Sequence, residues 1–450
     1  MSRTLVVCDN EFLSVLYVMN LEVYLATSVE LVTTAEAAIA IHKKKKNFDL
    51  IISLDTINKQ DAFDEINTYR GSYGVKTPLI KVGADADLDI DAKTFAVSSR
   101  YNIQSLLKKS ASILNVTAKQ MAELQMGDYY PISMTTVEGL LKAPCNLYYD
   151  QTGQKKIIVR TDDPMEAEIK KIKSLGIDQV FVKSSDRLVI VNNASIRLIE
   201  KITLALKNSA GETTDKKVEV LNDGYEFAMA NLFTSDEVKQ EMAEIASASS
   251  KVMTEVVKEN NQLKALISTL MNNKSGYVFI HSMITSYVAN HIIKNVTWGG
   301  EGQSDKINFV LFFHDIYLAP LYLKYPELKY EKSLLDSPLL NAKEIDIVMN
   351  HARLAAELVV TYKRCPMGAD ILIKHHHGMK KGSGFATKYP EDLSPLSKVL
   401  LIAEAFVEEF MAVTDQGKKP EMKLIIPKLI EEFSSPSYMK VVQTLVNLPL

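Results

Sequence analysis

The chain has 450 residues, 47% apolar and 24% charged, with a formal net charge of −3. That length exceeds what one core supports and suggests about three domains, while the near-neutral charge gives no field for nucleic acid, so no DNA partner is expected. Cys8, Cys145 and Cys365 make no disulfide framework, no apolar run reaches bilayer length, and the short run Leu5–Cys8 is not a signal peptide. A cytoplasmic protein without a membrane span is the expectation.

The first elements alternate. Thr4–Cys8 reads as a buried strand, Ala35–His42 as a helix, and Phe48–Leu54 and Pro78–Val82 as further strands. Strands alternating with helices imply a parallel α/β sheet. The run Lys43–Lys46 reads as lysines at a helix C-terminus. Ile103–Leu114 and Ala118–Gln125 are helical in pattern. Residues 1–122 resemble a response-regulator receiver domain, with departures where its chemistry would lie. Asp9 stands alone where such domains carry an acidic pair. Leu54 falls in the phospho-acceptor place with Asp55 one position late, and Ser99 takes the place of the lysine. The reading is a pseudo-receiver, used for contact with a protein partner and not for phosphotransfer.

A small α+β module is predicted over residues 127–192. Leu147–Tyr149 and Lys156–Arg160 flank the turn signal Asp150–Gly153, and Met165–Leu175 reads as a helix stopped by Gly176. Val180–Val182 and Arg187–Val191 read as a second hairpin. Residues 193–262 are assigned to a linker and a long helix. Asn208–Gly224 reads as loop, and Thr234 with Glu237 offers a capping box. Val238, Met242, Ile245, Val252, Val256, Leu263, Leu266 and Leu270 then recur at 4–3 spacing. Such a seam over residues 238–270 suits either a coiled coil that makes a homodimer or a long helix packed within the chain.

Seven of the eight histidines lie between His281 and Glu404. His314 is followed by Asp315, and His375, His376 and His377 stand together before a Gly-rich turn. His281, His314, Asp315, His351, His376, His377 and Glu404 supply enough nitrogen and oxygen for two divalent transition-metal ions: iron first, manganese or zinc as alternatives. Adjacent helical residues point about 100° apart, so His314 and Asp315 can serve different parts of one site. A metal pair of this kind can activate water and neutralise phosphate oxygens. His291 reads as a packing or surface histidine, His375 as an extra beside the pair, and Gly382-Ser383-Gly384 as a flexible turn.

From about residue 235 onward the ordered pieces His281-Ser282, His314-Asp315-Ile316, His351, His376-His377 and Ala403-Glu404 resemble the HD-GYP subfamily of HD-domain metal-dependent phosphohydrolases. The resemblance implies an all-α domain over residues 263–450, and the module over 127–192 is similar to the small domain that often precedes it in this family. It implies hydrolysis of cyclic di-GMP to the linear dinucleotide or GMP, with His314 and Asp315 at the chemistry. Where the family has a lysine after its His-Asp-Ile-Gly run this chain has Leu318, with Tyr317 in the glycine place. The Glu after the paired histidines is Gly378, the Asp three places on is Lys381, and the Gly-Tyr-Pro signature reads Gly384-Phe385-Ala386. Tyr277 occupies the place of a third-metal Glu, so two ions are expected. Lys380 and Lys381 are candidates to replace the lost cation toward substrate. The retained ligands favour a slow phosphodiesterase. The departures favour the alternative, a non-catalytic signalling protein that keeps metal and nucleotide.

Overall fold

A computed structural model of the chain describes residues 2–450 apart from 46, 59, 85–87, 99, 124–127, 139, 141, 178, 231–235, 274–275 and 326. It divides into two compact units, Met1–Glu200 and Lys201–Leu450. The first is α/β and the second is helical throughout. Among the described residues no helix is long and apolar enough to cross a membrane.

The first unit contains two sheets. One is built from β1 (Arg3–Val7), β2 (Ser28–Val32), β3 (Leu50–Leu54), β4 (Leu79–Ala84), β5 (Leu88–Asp91) and β6 (Thr94–Ser98), in the order β2-β1-β3-β4-β6-β5. All neighbours run parallel except the edge strand β5, which pairs antiparallel with β6. The central strands are apolar on both faces, as sheets covered on both sides require; every residue of β3 is buried. Helix Glu11–Leu25 crosses over between β1 and β2, capped by the Asn10 side chain, which accepts from the Phe12 and Leu13 amides. It carried no readable period because it is buried nearly all round, which removes the polar stripe. Ser99, compared with the receiver lysine, lies outside the described residues.

The second sheet is antiparallel and joins β7 (Tyr129–Ser133), β8 (Leu147–Gln151), β9 (Gln154–Val159) and β10 (Gln179–Lys183) in the order β7-β10-β8-β9. Thr152 and Gly153 both have positive φ, 54° and 86°, the geometry of a two-residue hairpin turn. The expected second hairpin is absent. Ser184–Asp186 is a single 3-10 turn, and Arg187–Asn208 is a 22-residue helix. The β-branched run at 189–191 looked like a strand, but buried Ile190, Leu198, Ile199, Ile202 and Leu206 continue it at helical spacing, and the longer pattern prevails.

In the second unit the expected loop Asn208–Gly224 is mostly the helix Thr214–Ala230, which buries Val218, Leu221, Tyr225 and Ala228 at 3–4 spacing. The 4–3 seam also resolves. It spans two helices, Asp236–Glu259 and Leu263–Asn272, and Met242, Ile245, Val252, Val256, Leu263, Leu266 and Leu270 are all buried. The first of these helices packs on Glu301–Phe313, Thr214–Ala230 and Tyr277–Lys294 of the same chain. These seam residues are covered from within the chain, which favours the packed-helix reading over the coiled coil; the side chain of Val238 lies outside the described residues. The Thr234 cap lies outside the described residues.

Candidate metal centre

Five helices and their ends deliver the chemistry-bearing side chains. His281 sits one turn inside Tyr277–Lys294, His314 and Asp315 follow the end of Glu301–Phe313, and His351 lies within Ala342–Val359. His376 and His377 follow the end of Ala369–His375, and Glu404 lies within Pro395–Asp415. All of them except His377 are buried. Two groups result: His281, His314 and Asp315, and beside them His351, His376, His377 and a carboxylate that motif reasoning missed, Glu331. Glu404 joins the first group, with Oε2 2.6 Å from His281 Nε2 and Oε1 3.3 Å from His314 Nε2. Asp315 faces both groups: Oδ2 lies 3.3 Å from His314 Nε2, and Oδ1 lies 3.6 Å from both His351 Nε2 and His376 Nε2.

The ring orientations are fixed by the backbone. His314, His351 and His376 each place Nδ1 on the carbonyl three residues back, Leu311 at 3.0 Å, Val348 at 2.6 Å and Ile373 at 2.6 Å. A carbonyl only accepts, so Nδ1 carries a hydrogen and Nε2 is the nitrogen turned into the cluster, free to bind an ion once its proton is lost. His351 Nε2 then lies 3.1 Å from the Nε2 atoms of both His376 and His377. Glu331 Oε1 lies 3.1 Å from His351 Nε2 and 2.9 Å from His377 Nε2. One proton on His351 can satisfy Glu331, but it cannot also satisfy two further lone pairs. A single cation can. Adjacent ligands of a six-coordinate ion with bonds of about 2.1 Å stand about 3 Å apart, which is the spacing found. In the first group His314 Nε2, Asp315 Oδ1 and Glu404 Oε1 are buried without a hydrogen-bond partner. Imidazole, carboxylate and no thiolate suit a borderline or hard divalent ion, so the donor sets of both groups could hold metal.

Without an ion, these groups hold one another charged. Burial works against the His281 imidazolium, yet Glu404, Asp315 and Glu331 hold it up to about 10. Burial likewise opposes His351, and Glu331 with Asp315 raises it to about 8. His376 goes the other way, lowered to about 4 by burial and by His377 beside it. Despite burial, Glu331 is held well below the usual carboxylate range by His377 and His351, and Glu404 is lowered by His281 and His314. Glu408, one turn after Glu404 and half-buried, is raised to about 8 by burial and by Glu331. Its i,i+4 relation to Glu404 was the signal that could have found it. Glu331 had none, because it opens its own five-residue helix far from any motif.

The other expectations separate cleanly. His291 Nε2 lies 3.0 Å from the Thr444 carbonyl and His375 Nδ1 lies 3.2 Å from Ser397 Oγ, so both are packing residues outside the two groups. Leu318 is fully buried. Lys380 is taken by Asp392 on an exposed turn, and Lys381 is exposed; among the described residues neither pairs with a carboxylate or histidine of the cluster. The Gly-rich turn is more than a flexible link. Gly382 O accepts from the Arg353 amide (2.9 Å) and the Gly384 amide donates to Met349 O (2.6 Å), docking the turn on the helix on either side of His351. Gly378 has φ +76°, and a Cβ there would lie 2.6 Å from Tyr389 Cδ1, so the Glu expected from the resemblance has no room.

Comparison with known proteins adds little. No family model matches the chain, and no curated protein matches it. Among solved structures it is similar to Bd1817, a HDG"Y"P protein from Bdellovibrio bacteriovorus, at 16% identity over 71% of this chain and 98% of that one, with a TM-score of 0.37. At that level of likeness neither fold nor activity follows from it.

Proposed function

We propose that the helical unit is a metal-dependent phosphodiesterase of the HD-GYP type, acting slowly on cyclic di-GMP to give the linear dinucleotide or GMP. The observation that carries this is the convergence of His351, His376 and His377 Nε2 on Glu331, with Asp315 turned toward both groups. His281, His314, Asp315 and Glu404 would hold one ion, and Glu331, His351, His376 and His377 the other, with Asp315 between them. Such a pair, when bound, supplies charge neutralisation for a phosphodiester and activation of water. The carbonyl-anchored Nδ1 atoms keep the imidazoles aimed, so little reorganisation accompanies binding.

A second reading rests on specific residues: Leu318 is apolar and buried, and Lys380 is paired away from the cluster. These leave the family's lysine place apolar and one candidate lysine engaged by Asp392, and they favour a receptor that binds without turnover. Losing one electrostatic donor typically costs about 10²–10³ in rate, which leaves a slow enzyme above background. The deciding experiment combines elemental analysis with chromatographic separation of products from cyclic di-GMP, comparing wild type with Asp315→Ala, each after reconstitution with iron or manganese under reducing conditions. Metal in the wild type with product above the variant is the expected result. Equal, negligible product with metal present would establish the receptor reading, and only trace metal would end both.

A further inference from the structure

The two helices that carry the histidines of the first group meet in surroundings that fix little by themselves. Every residue from His281 to Asn290 is buried, and so is every residue from Ile307 to His314. Apolar burial has no direction, so two such faces gain nearly the same from packings one helical turn, about 5.4 Å, apart. A binding site tolerates only about 0.5 Å of error in its side chains. His281 Nε2 and His314 Nε2 must both reach Glu404, whose oxygens lie 2.6 Å from one and 3.3 Å from the other. One polar cluster interrupts these faces. Asn308 is fully buried, and its amide uses all four of the hydrogen bonds an amide can make. Oδ1 accepts from Ser286 Oγ at 2.6 Å and from Asn290 Nδ2 at 3.2 Å. Nδ2 donates to Thr254 Oγ1 at 2.8 Å and to the Ser250 carbonyl at 3.3 Å. The amide thus ties Glu301–Phe313 to Tyr277–Lys294 and to Asp236–Glu259, all within the second unit.

We infer that Asn308 is a positioning residue for the first metal group, a buried pin that sets the register of the helix bearing His281 against the helix leading to His314. The inference rests on the two-ion reading above and names what holds its first site in place. Ser286 lies five residues after His281, and Asn308 lies six residues before His314. Those spans are about 7.5 Å and 9 Å along the two axes. The His281 and His314 rings meet 5.7 Å apart, so the helices run antiparallel, with pin and ligands at two matched levels. A slide at the pin is therefore carried to the ligands undiminished. Apolar side chains of similar size would fill the same space without distinguishing one turn from the next. A buried amide does distinguish them, because a slide leaves it and its partners unpaired. The three helices of the network deliver neither Glu331 nor His351, His376 or His377, so its effect is confined to the first group.

The test uses the full chain and the double variant Asn308→Leu with Ser286→Ala. That pair of changes removes the pin without stranding a neighbour. Asn290 Nδ2 keeps the Ser286 carbonyl at 2.8 Å, and Thr254 Oγ1 keeps the Ser250 carbonyl at 2.9 Å. Replacing both partners of a buried hydrogen bond by apolar groups is close to neutral for stability, so the denaturation midpoint of the metal-free chain should be unchanged or higher. Chelator competition after reconstitution with iron or manganese should nonetheless show one equivalent of metal weakened by about 10- to 100-fold, the scale of losing a group that orients a ligand. The other equivalent should keep its wild-type affinity, and adding Glu331→Gln should then weaken that one too. Ser286→Ala alone leaves Asn308 its bond from Asn290 and should weaken the same equivalent by a smaller factor, which supplies the answer if the double variant does not fold. Two equivalents bound at wild-type affinity in the variants overturn the inference and leave the two-ion reading intact. Equal weakening of both equivalents, or weakening that only follows a fallen midpoint, also overturns it, because the network would then serve the fold alone. Trace metal in the wild type would sink the two-ion reading itself and this inference with it.

Discussion

Each unit of the chain carries a buried acid at the end of a core element, and the two are answered differently. In the first unit Asp55 follows β3, and the Arg100 guanidinium lies 3.0 Å from its Oδ1 and 3.0 Å from Thr56 Oγ1. Nearby, Asp9 accepts the Asn58 amide. A would-be Cβ on Gly83 would stand 2.8 Å from Asp55 Oδ1, so the site is closed as well as neutralised. In the second unit Asp315, Glu331 and Glu404 are answered by imidazoles, and three of those have their other nitrogen committed to a carbonyl. A guanidinium supplies a permanent charge, while an imidazole with an inward lone pair requires one. What answers a buried acid therefore separates a finished ion pair from a binding site more sharply than the acid does.

The largest expected break is Asp315→Ala. Because Asp315 faces both groups, its loss should lower metal content by at least one equivalent and drop cyclic di-GMP turnover by about 10³-fold or to background. Elemental analysis and product chromatography check it, and unchanged metal content would remove the bridging role. Glu331→Gln sharpens the comparison from the other side. It keeps the shape of the second group and removes its charge, so metal affinity there should fall by at least about 10- to 100-fold, the cost reported for even outer-shell partners. Competition against a chelator of known affinity measures the change. An unaltered affinity would mean that the histidines hold no ion at Glu331.

How much of this was legible beforehand depended on whether a signal was local. His314-Asp315 and His376-His377 advertise themselves as neighbours, and the helix bearing His351 follows ordinary apolar spacing. Glu331 reaches the cluster only through tertiary packing, so nothing within a turn of it announces the role. The α/β alternation was visible in the apolar strands, yet helix Glu11–Leu25 was hidden by being apolar all round. Leu188–Val191 misled because four apolar residues in a row fit a strand or a helix equally until Leu198 and Ile202 are added. The two lysines expected at the substrate were a guess from charge alone, and Asp392 claims one of them.

A third acid tests the same contrast, answered by hydroxyls and an amide instead of a charged partner. Glu22 is buried in the first unit, where its carboxylate accepts from Ser133 N, Ser133 Oγ and Thr136 Oγ. Burial raises it to about 7 against those hydrogen bonds, with an ordinary value of 4.5. The folded state thus binds the proton more tightly than the unfolded state. The associated stability is fully present below about 4.5 and is lost as pH rises through about 7, by roughly 3 kcal/mol at most. Denaturant titration of the chain should show the transition of the first unit moving to lower denaturant between pH 5 and pH 8. Glu22→Gln should flatten that dependence. An equal midpoint at both pH values in wild type would mean that the carboxylate is stabilised charged.

The smallest expected effect concerns Asp55, where the comparison predicts almost nothing. If Arg100 already completes the ion pair, the amino-terminal unit should neither collect phosphate nor need magnesium. Leu54, not Asp55, ends β3, and Asp55 is buried beneath Gly83 and beside the guanidinium, so the carboxylate is engaged and poorly placed to attack a phosphodonor. Incubation with a small phosphodonor and magnesium should leave the wild type unlabelled by mass spectrometry. Arg100→Ala leaves the carboxylate short of its guanidinium, and the first unit should lose about 1–3 kcal/mol of stability for a buried group deprived of a partner. The half-exposed arginine keeps the figure toward the lower end, because solvent screens part of what it supplies. A stable acyl-phosphate on Asp55 of the wild type would show that the guanidinium leaves the carboxylate open, and the contrast between the two acids would then fail at its simpler end.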